Sequence, residues 1–196
     1  RVKEGLQRSG EVQQEERAEI RRIDLTLDQS GTARATIQDL PKMTDPARLS
    51  AELDFRDPNG ETQTVSASVP LWPAGVVVGL KTEQWALVNE NLTFQVAVAN
   101  LEGKPFANRP VSVELYQRTR YSHRKRLVGG FYAYENYSET RRIGPACDGV
   151  TDSKGIMICT IRLEHSGEMI LQARAADDLG RESFAHTTFW AGGRDR

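Results

Sequence analysis

Two stretches of this chain follow one short pattern. "LDQSGTARATI" (Leu27 to Ile37) and "TDSKGIMICTI" (Thr151 to Ile161) each place an acidic residue, two further residues and a glycine ahead of an alternating run ending Thr-Ile. The likeness extends further along both copies. "RLSAELDFRDPNGETQTVSASVPLW" (Arg48 to Trp72) matches "MILQARAADDLGRESFAHTTFWAG" (Met169 to Gly192): alternating residues, an acidic turn closed by glycine, and a second alternating run ending near tryptophan. Alternation such as Leu49, Ala51, Leu53, Phe55 puts every second side chain on one face, the mark of a half-buried strand. In "DPNG" (Asp57 to Gly60) the proline presets φ, while Asn59 and Gly60 tolerate positive φ, and "DDLG" (Asp177 to Gly180) is expected to turn the same way. The chain therefore reads as the C-terminal halves of two related antiparallel domains.

The other half of the second domain lies between the copies. Runs at Val76 to Leu80, Leu92 to Ala99 and Val111 to Tyr116 read as strands, with a turn at Glu102 to Pro105 between the last two. Short strands separated by Gly/Pro/Asn turns predict an all-β fold, two tandem sandwiches of the immunoglobulin/fibronectin type. The expected division is 1–74 for the C-terminal part of one sandwich and 75–193 for a complete one carrying an insertion at 117–146. The first sandwich lacks its opening strands, which leaves edges that invite association. Glu11 to Arg22 has helical potential but is polar nearly all round.

Composition narrows the function. With 38% hydrophobic and 27% charged residues the chain is globular, and a net charge of −1 gives no global attraction to nucleic acid or anionic lipid. No apolar run approaches the roughly 18 residues of a spanning helix, so no direct membrane insertion by this chain is expected. The polar start "RVKEGLQRSGEVQQEERAEI" has no signal-peptide core, which suggests an internal piece of a longer polypeptide. Three scattered histidines (His123, His165, His186) lack ligand spacing, and no P-loop, G-x-S-x-G or G-x-G-x-x-G occurs. The chain reads as non-catalytic, with no cofactor and no metal.

Cys147 and Cys159 flank the turn at Asp152 to Gly155. Pairing outward from that turn places them on adjacent strands, opposite or within one position, near enough for a disulfide. Closing that loop contributes roughly 3 kcal/mol in the chain-entropy model; two reduced core thiols are the alternative. A bridge implies an oxidising compartment.

The stretch 117–146 is the least sandwich-like. Arg118, Arg120, Arg124, Lys125 and Arg126 stand near Tyr121, Phe131, Tyr132, Tyr134 and Tyr137. Basic and aromatic residues together can stack on single-stranded nucleic acid, but no second basic element supports a groove. A long hairpin or loop with solvated charges and aromatics packed on a sheet or a neighbouring domain is the plainer reading. Arg and Tyr also anchor protein contacts, so these ten residues form a candidate interface, and the loop offers sites to trypsin-like proteases.

"PLWPAGVVVGLK", "KPFANRPVSVELY", "RKRLVGGFYAYENYSETR", "CDGVTDSKGIMIC" and "ARAADDLGRESFAHTTFW" together resemble the bacterial α2-macroglobulins, specifically two consecutive macroglobulin-like domains, the fifth and sixth, ahead of the bait region. The resemblance implies a scaffold module of a periplasmic broad-range protease inhibitor, a bacterial defence protein often held at the inner membrane as a lipoprotein. In such proteins bait cleavage triggers a shape change and a thioester captures the protease. It further implies a structural disulfide between Cys147 and Cys159, and neighbouring domains and target proteases as partners. No thioester motif and no evident bait segment occur in this chain. The fold alone would suit an immunoglobulin-like repeat of a surface adhesin, or an accessory domain of an extracellular enzyme, equally well.

Overall fold

The computed structural model describes residues 1–9 and 21–193, which form eleven strands and no helix. The chain divides into two units, residues 10–42 and the remainder. Most of the segment considered for a helix, Glu11 to Arg22, lies outside the described residues.

In the larger unit a sandwich is built from two sheets. One holds β4 (Val76–Lys81), β6 (Asn91–Asn100) and β9 (Ile156–Arg162) in the order β4-β6-β9. The other holds β1 (Gly5–Ser9), β5 (Trp85–Leu87), β7 (Pro110–Arg126), β8 (Tyr132–Val150), β10 (Gly167–Ala176) and β11 (Glu182–Gly192) in the order β1-β8-β7-β10-β11-β5. The period-2 pattern decides which side chains meet. Leu92, Phe94, Val96 and Val98 of β6 alternate strictly inward, onto Val111 and Val113 of β7, Leu171 and Ala173 of β10, and Phe189 of β11.

β10 departs from alternation, since Met169, Ile170, Leu171, Gln172 and Ala173 are all buried. The first residues of the chain lie over this outward side at Gln172 and over the neighbouring strands β8 and β11. The Val2 amide donates to Gln172 Oε1 (2.6 Å), the Arg142 amide donates to Glu4 Oε1 (3.0 Å), and Arg1 lies 5.4 Å from the Phe184 ring centre. Gly5–Ser9, grouped with the rest of 1–74 in the sequence reading, pairs antiparallel with β8, Gly5 opposite Thr140 and Ser9 opposite Asn136.

β2 (Ala47–Arg56) and β3 (Thr62–Leu71) form a two-stranded ribbon with no further strand in its sheet among the described residues. Its register sets Leu49 opposite Val69, Ala51 opposite Ala67 and Leu53 opposite Val65. That face is apolar from Ala47 and Leu71 to Leu53 and Val65, with Gln63 opposite Phe55 at its turn end, and it is largely exposed.

The repeated pattern of the sequence is a turn. At Asp28, Asp57, Asn100, Asp152 and Asp177 the amide of residue i donates to the carbonyl of i+4, and the glycine at i+3 donates to the carbonyl of i. In all five the side-chain Oδ1 of residue i accepts from the amides of i+2 and i+4. Each glycine sits at positive φ, between 72° and 85°, where a Cβ would be strained. The first copy stops at the turn. Residues 21–42 contain no strand, because alternation gives a face but a strand exists only when a neighbour takes up its backbone groups.

The disulfide between Cys147 and Cys159 is present, with Cα atoms 6.4 Å apart. It does not join adjacent strands of one sheet, as pairing outward from the turn predicts. Cys147 lies opposite Val113 in one sheet and Cys159 opposite Phe94 in the other. The chain changes sheets at the Asp152 turn, next to buried Thr151, whose hydroxyl donates to the Phe106 carbonyl and accepts from the Arg109 amide. The bridge thus ties the two sheets together.

Candidate interaction surface

The segment 117–146 is a long hairpin that continues two core strands. β7 and β8 stay paired from Pro110 opposite Val150 out to Arg126 opposite Tyr132. Irregularities between Val113 and Glu114 and between Leu115 and Tyr116 leave Ala146 and Ile143 unpaired on β8, with Pro145 placed where its missing amide is tolerated. β10 accompanies β7 only as far as Arg118, and β1 accompanies β8 only at Asn136 to Thr140. Beyond them the hairpin is a two-stranded arm.

Cross-strand partners share a face, so the register sorts the ten candidate residues. One face carries Tyr121 opposite Tyr137, His123 opposite Glu135 and Lys125 opposite Ala133. Here the charges are internally matched. Tyr121 donates to Glu139 (3.1 Å), Tyr137 to Glu135 (2.9 Å), and Lys125 and Arg8 both reach Glu135 (3.2 Å). Those bonds, the one from Tyr137 first, hold the Glu135 carboxyl below its ordinary range. His123 stacks edge-on against Tyr137 at 5.9 Å.

The other face carries Arg118, Arg120, Arg124 and Arg126, opposite Thr140, Ser138, Tyr134 and Tyr132. Glu168 of β10 serves the first two arginines, at 3.2 Å from Arg118 and 3.0 Å from Arg120, and its carboxyl is held low chiefly by Arg120. Further out, Arg124 lies 3.7 Å over the Tyr132 ring. Neither Arg124 nor Arg126 forms an ion pair among the described residues. The candidate set is thereby split: Tyr121, Lys125 and Tyr137 on one face, the four arginines with Tyr132 and Tyr134 on the other, and Phe131 in the turn. Phe131, Tyr132 and Tyr134 are exposed rather than packed on a sheet.

The sequence reading missed Leu127 and Val128, which with Phe131 form the apolar tip of the arm. The tip closes with the same two backbone bonds as the five polar turns, Leu127 amide to Phe131 carbonyl and Gly130 amide to Leu127 carbonyl. It has leucine where the others have Asp or Asn, and two glycines, Gly129 and Gly130, at positive φ. The run "LVGGF" carried that signal in the sequence. Among the described residues no group of His, Cys, Asp and Glu is arranged to hold a metal, and no helix is long and apolar enough to cross a membrane.

No family model matches the chain, and no curated protein matches it. Among solved structures it is similar to Salmonella α2-macroglobulin reacted with methylamine, at 16% identity and a TM-score of 0.61, covering 96% of this chain and 13% of that one. It is also similar to the native conformation of E. coli α2-macroglobulin, at 15% identity and a TM-score of 0.60, covering 96% and 12%. The chain thus spans about an eighth of the length of those proteins. At this identity the likeness is one of fold: an all-β chain folded like a stretch of bacterial α2-macroglobulin.

Proposed function

We propose that this chain is a non-catalytic scaffold module of a periplasmic protease inhibitor of the α2-macroglobulin type. The fold shared over nearly the whole chain carries this reading. In it, 75–193 is a complete macroglobulin-like domain, and 1–74 belongs largely to the C-terminal part of its predecessor. The apolar face of β2 and β3 is the inner face of that earlier sandwich, since a two-stranded ribbon has too little buried surface to stand alone. Bait and thioester lie elsewhere in the parent polypeptide, and the cross-sheet disulfide suits an oxidising compartment.

The test compares the parent polypeptide with this chain alone. Methylamine treatment of the parent, followed by mass spectrometry, should show incorporation at a Glu/Gln side chain and release of a cysteine thiol, and the parent should restrain a broad-range protease. The 196-residue chain alone should restrain none. Stoichiometric inhibition by the isolated chain would overturn the scaffold assignment. A parent without inhibitory activity would overturn the inhibitor reading.

A further inference from the structure

We infer that the tip of the β7–β8 arm docks peripherally into an anionic lipid surface. Five turns of one geometry carry a capping Asp or Asn, and the sixth, at the end of the arm, gives up those side-chain bonds for leucine. What it displays instead is apolar: Val128 is fully exposed and Phe131 is 75% exposed, with Leu127 beside them. Such residues at a protruding tip have no concave surface of their own to fill. Behind them, level by level, come Arg126 with Tyr132, Lys125 with Ala133, and Arg124 with Tyr134.

That order matches the profile of a bilayer interface, with apolar groups deepest, tyrosines at the headgroup level, and basic residues reaching back to lipid phosphates. The first carboxylate, Glu135, stands four residues behind Phe131, about 14 Å at about 3.4 Å per residue. Interfacial segments enter by about 5–10 Å, so the tip can be buried while Glu135 stays in water. Glu135 also lies on the opposite face from the arginines and is occupied by Tyr137 and Lys125. The sequence expectation of no direct membrane insertion rests on the missing apolar run, which bears on spanning and not on a tip of three side chains. Lipid docking by the tip does not depend on the scaffold reading.

Flotation of the 196-residue chain with vesicles of phosphatidylethanolamine and phosphatidylglycerol, and separately of phosphatidylcholine, tests it. The chain should bind the anionic vesicles and much less the zwitterionic ones. Val128→Asp with Phe131→Asp should weaken binding at least about tenfold, since it sets charges into the interface. Arg124→Glu with Arg126→Glu should weaken it by more than the roughly fivefold per basic residue that loss of charge alone gives. All these positions are exposed, and unchanged thermal melts would establish that the variants fold. No binding to anionic vesicles, or equal binding by the Val128/Phe131 variant, would overturn the inference. Tip-dependent capture of a protein without vesicle binding would overturn it too, and would make the tip a protein contact.

Discussion

Asp177 is the turn residue with the most to lose. It is 9% exposed, and its Oδ2 accepts from the Gly75 amide (2.8 Å) and Arg181 Nε (2.7 Å), while Oδ1 holds the turn amides of Leu179 and Arg181. It therefore ties the β10–β11 turn to the entry of β4. Burial pushes the carboxyl upward, and the four donors overcome it and bring it down to about 2 from 3.8. The substitution to make is Asp177→Asn. The amide oxygen can keep the turn bonds, but Nδ2 then faces two donors, as a protonated carboxyl would.

The shift corresponds to about 2 kcal/mol at neutral pH, or about 4–8 °C in Tm for a chain of this size. The sign follows from the folded carboxyl being the stronger acid. Between about pH 4 and pH 2 the unfolded state binds more protons, so this contribution is complete above that window and disappears as pH falls through it. Denaturant unfolding of both proteins at about pH 7, 5, 3 and 2 should show a gap of about 2 kcal/mol that closes towards the most acid condition. A gap that stays the same there would refute the electrostatic account and leave only a packing defect. A gap below about 0.5 kcal/mol at neutral pH would show that the Gly75 and Arg181 contacts contribute no more than ordinary surface contacts.

Two further outcomes test the fold. Replacing Cys147 and Cys159 with Ser should cost roughly 3 kcal/mol with the far-ultraviolet circular dichroism unchanged; free thiols in the oxidised protein would contradict the cross-sheet bridge. Gly155→Ala and Gly180→Ala share positive φ, at 72° and 76°, but a Cβ on Gly155 would stand 2.5 Å from the Val98 carbonyl and one on Gly180 in open space. The first should cost about 3 kcal/mol or more and the second about 1–2 kcal/mol, read from thermal melts; equal costs would mean that crowding at Gly155 relaxes freely.

The turns were legible in the sequence because each is settled within five residues: a capping side chain at one end and a glycine at positive φ near the other. The strands of the second sandwich were legible for a similar reason, since β6 alternates strictly. Sheet membership was not, because the turn at Asp152 reads the same whether it joins neighbours in one sheet or carries the chain between two. The burial of Gln172 was equally hidden, since its side chain meets the Val2 amide, some 170 positions away, and the Tyr116 hydroxyl of β7. The length of the arm was hidden because composition changes at Gln117, where β7 is about to lose β10 as a partner, while its pairing with β8 continues to Arg126.

The same locality explains why the candidate surface was read as one cluster. Ten residues close in sequence look like one patch, but alternation deals nine of them to two faces and leaves Phe131 in the turn, and the acid partners decide what each face can do. Glu135 and Glu139 neutralise one, whereas Glu168 reaches only the base of the other. The outer arginines and the apolar tip are left unmatched together, at a turn that keeps the backbone bonds of the five and lacks their capping side chain. A chain that keeps a capping Asp or Asn in five turns and departs from it at the exposed end of its longest hairpin has gained no folding stability there, which places the reason for the departure outside the fold.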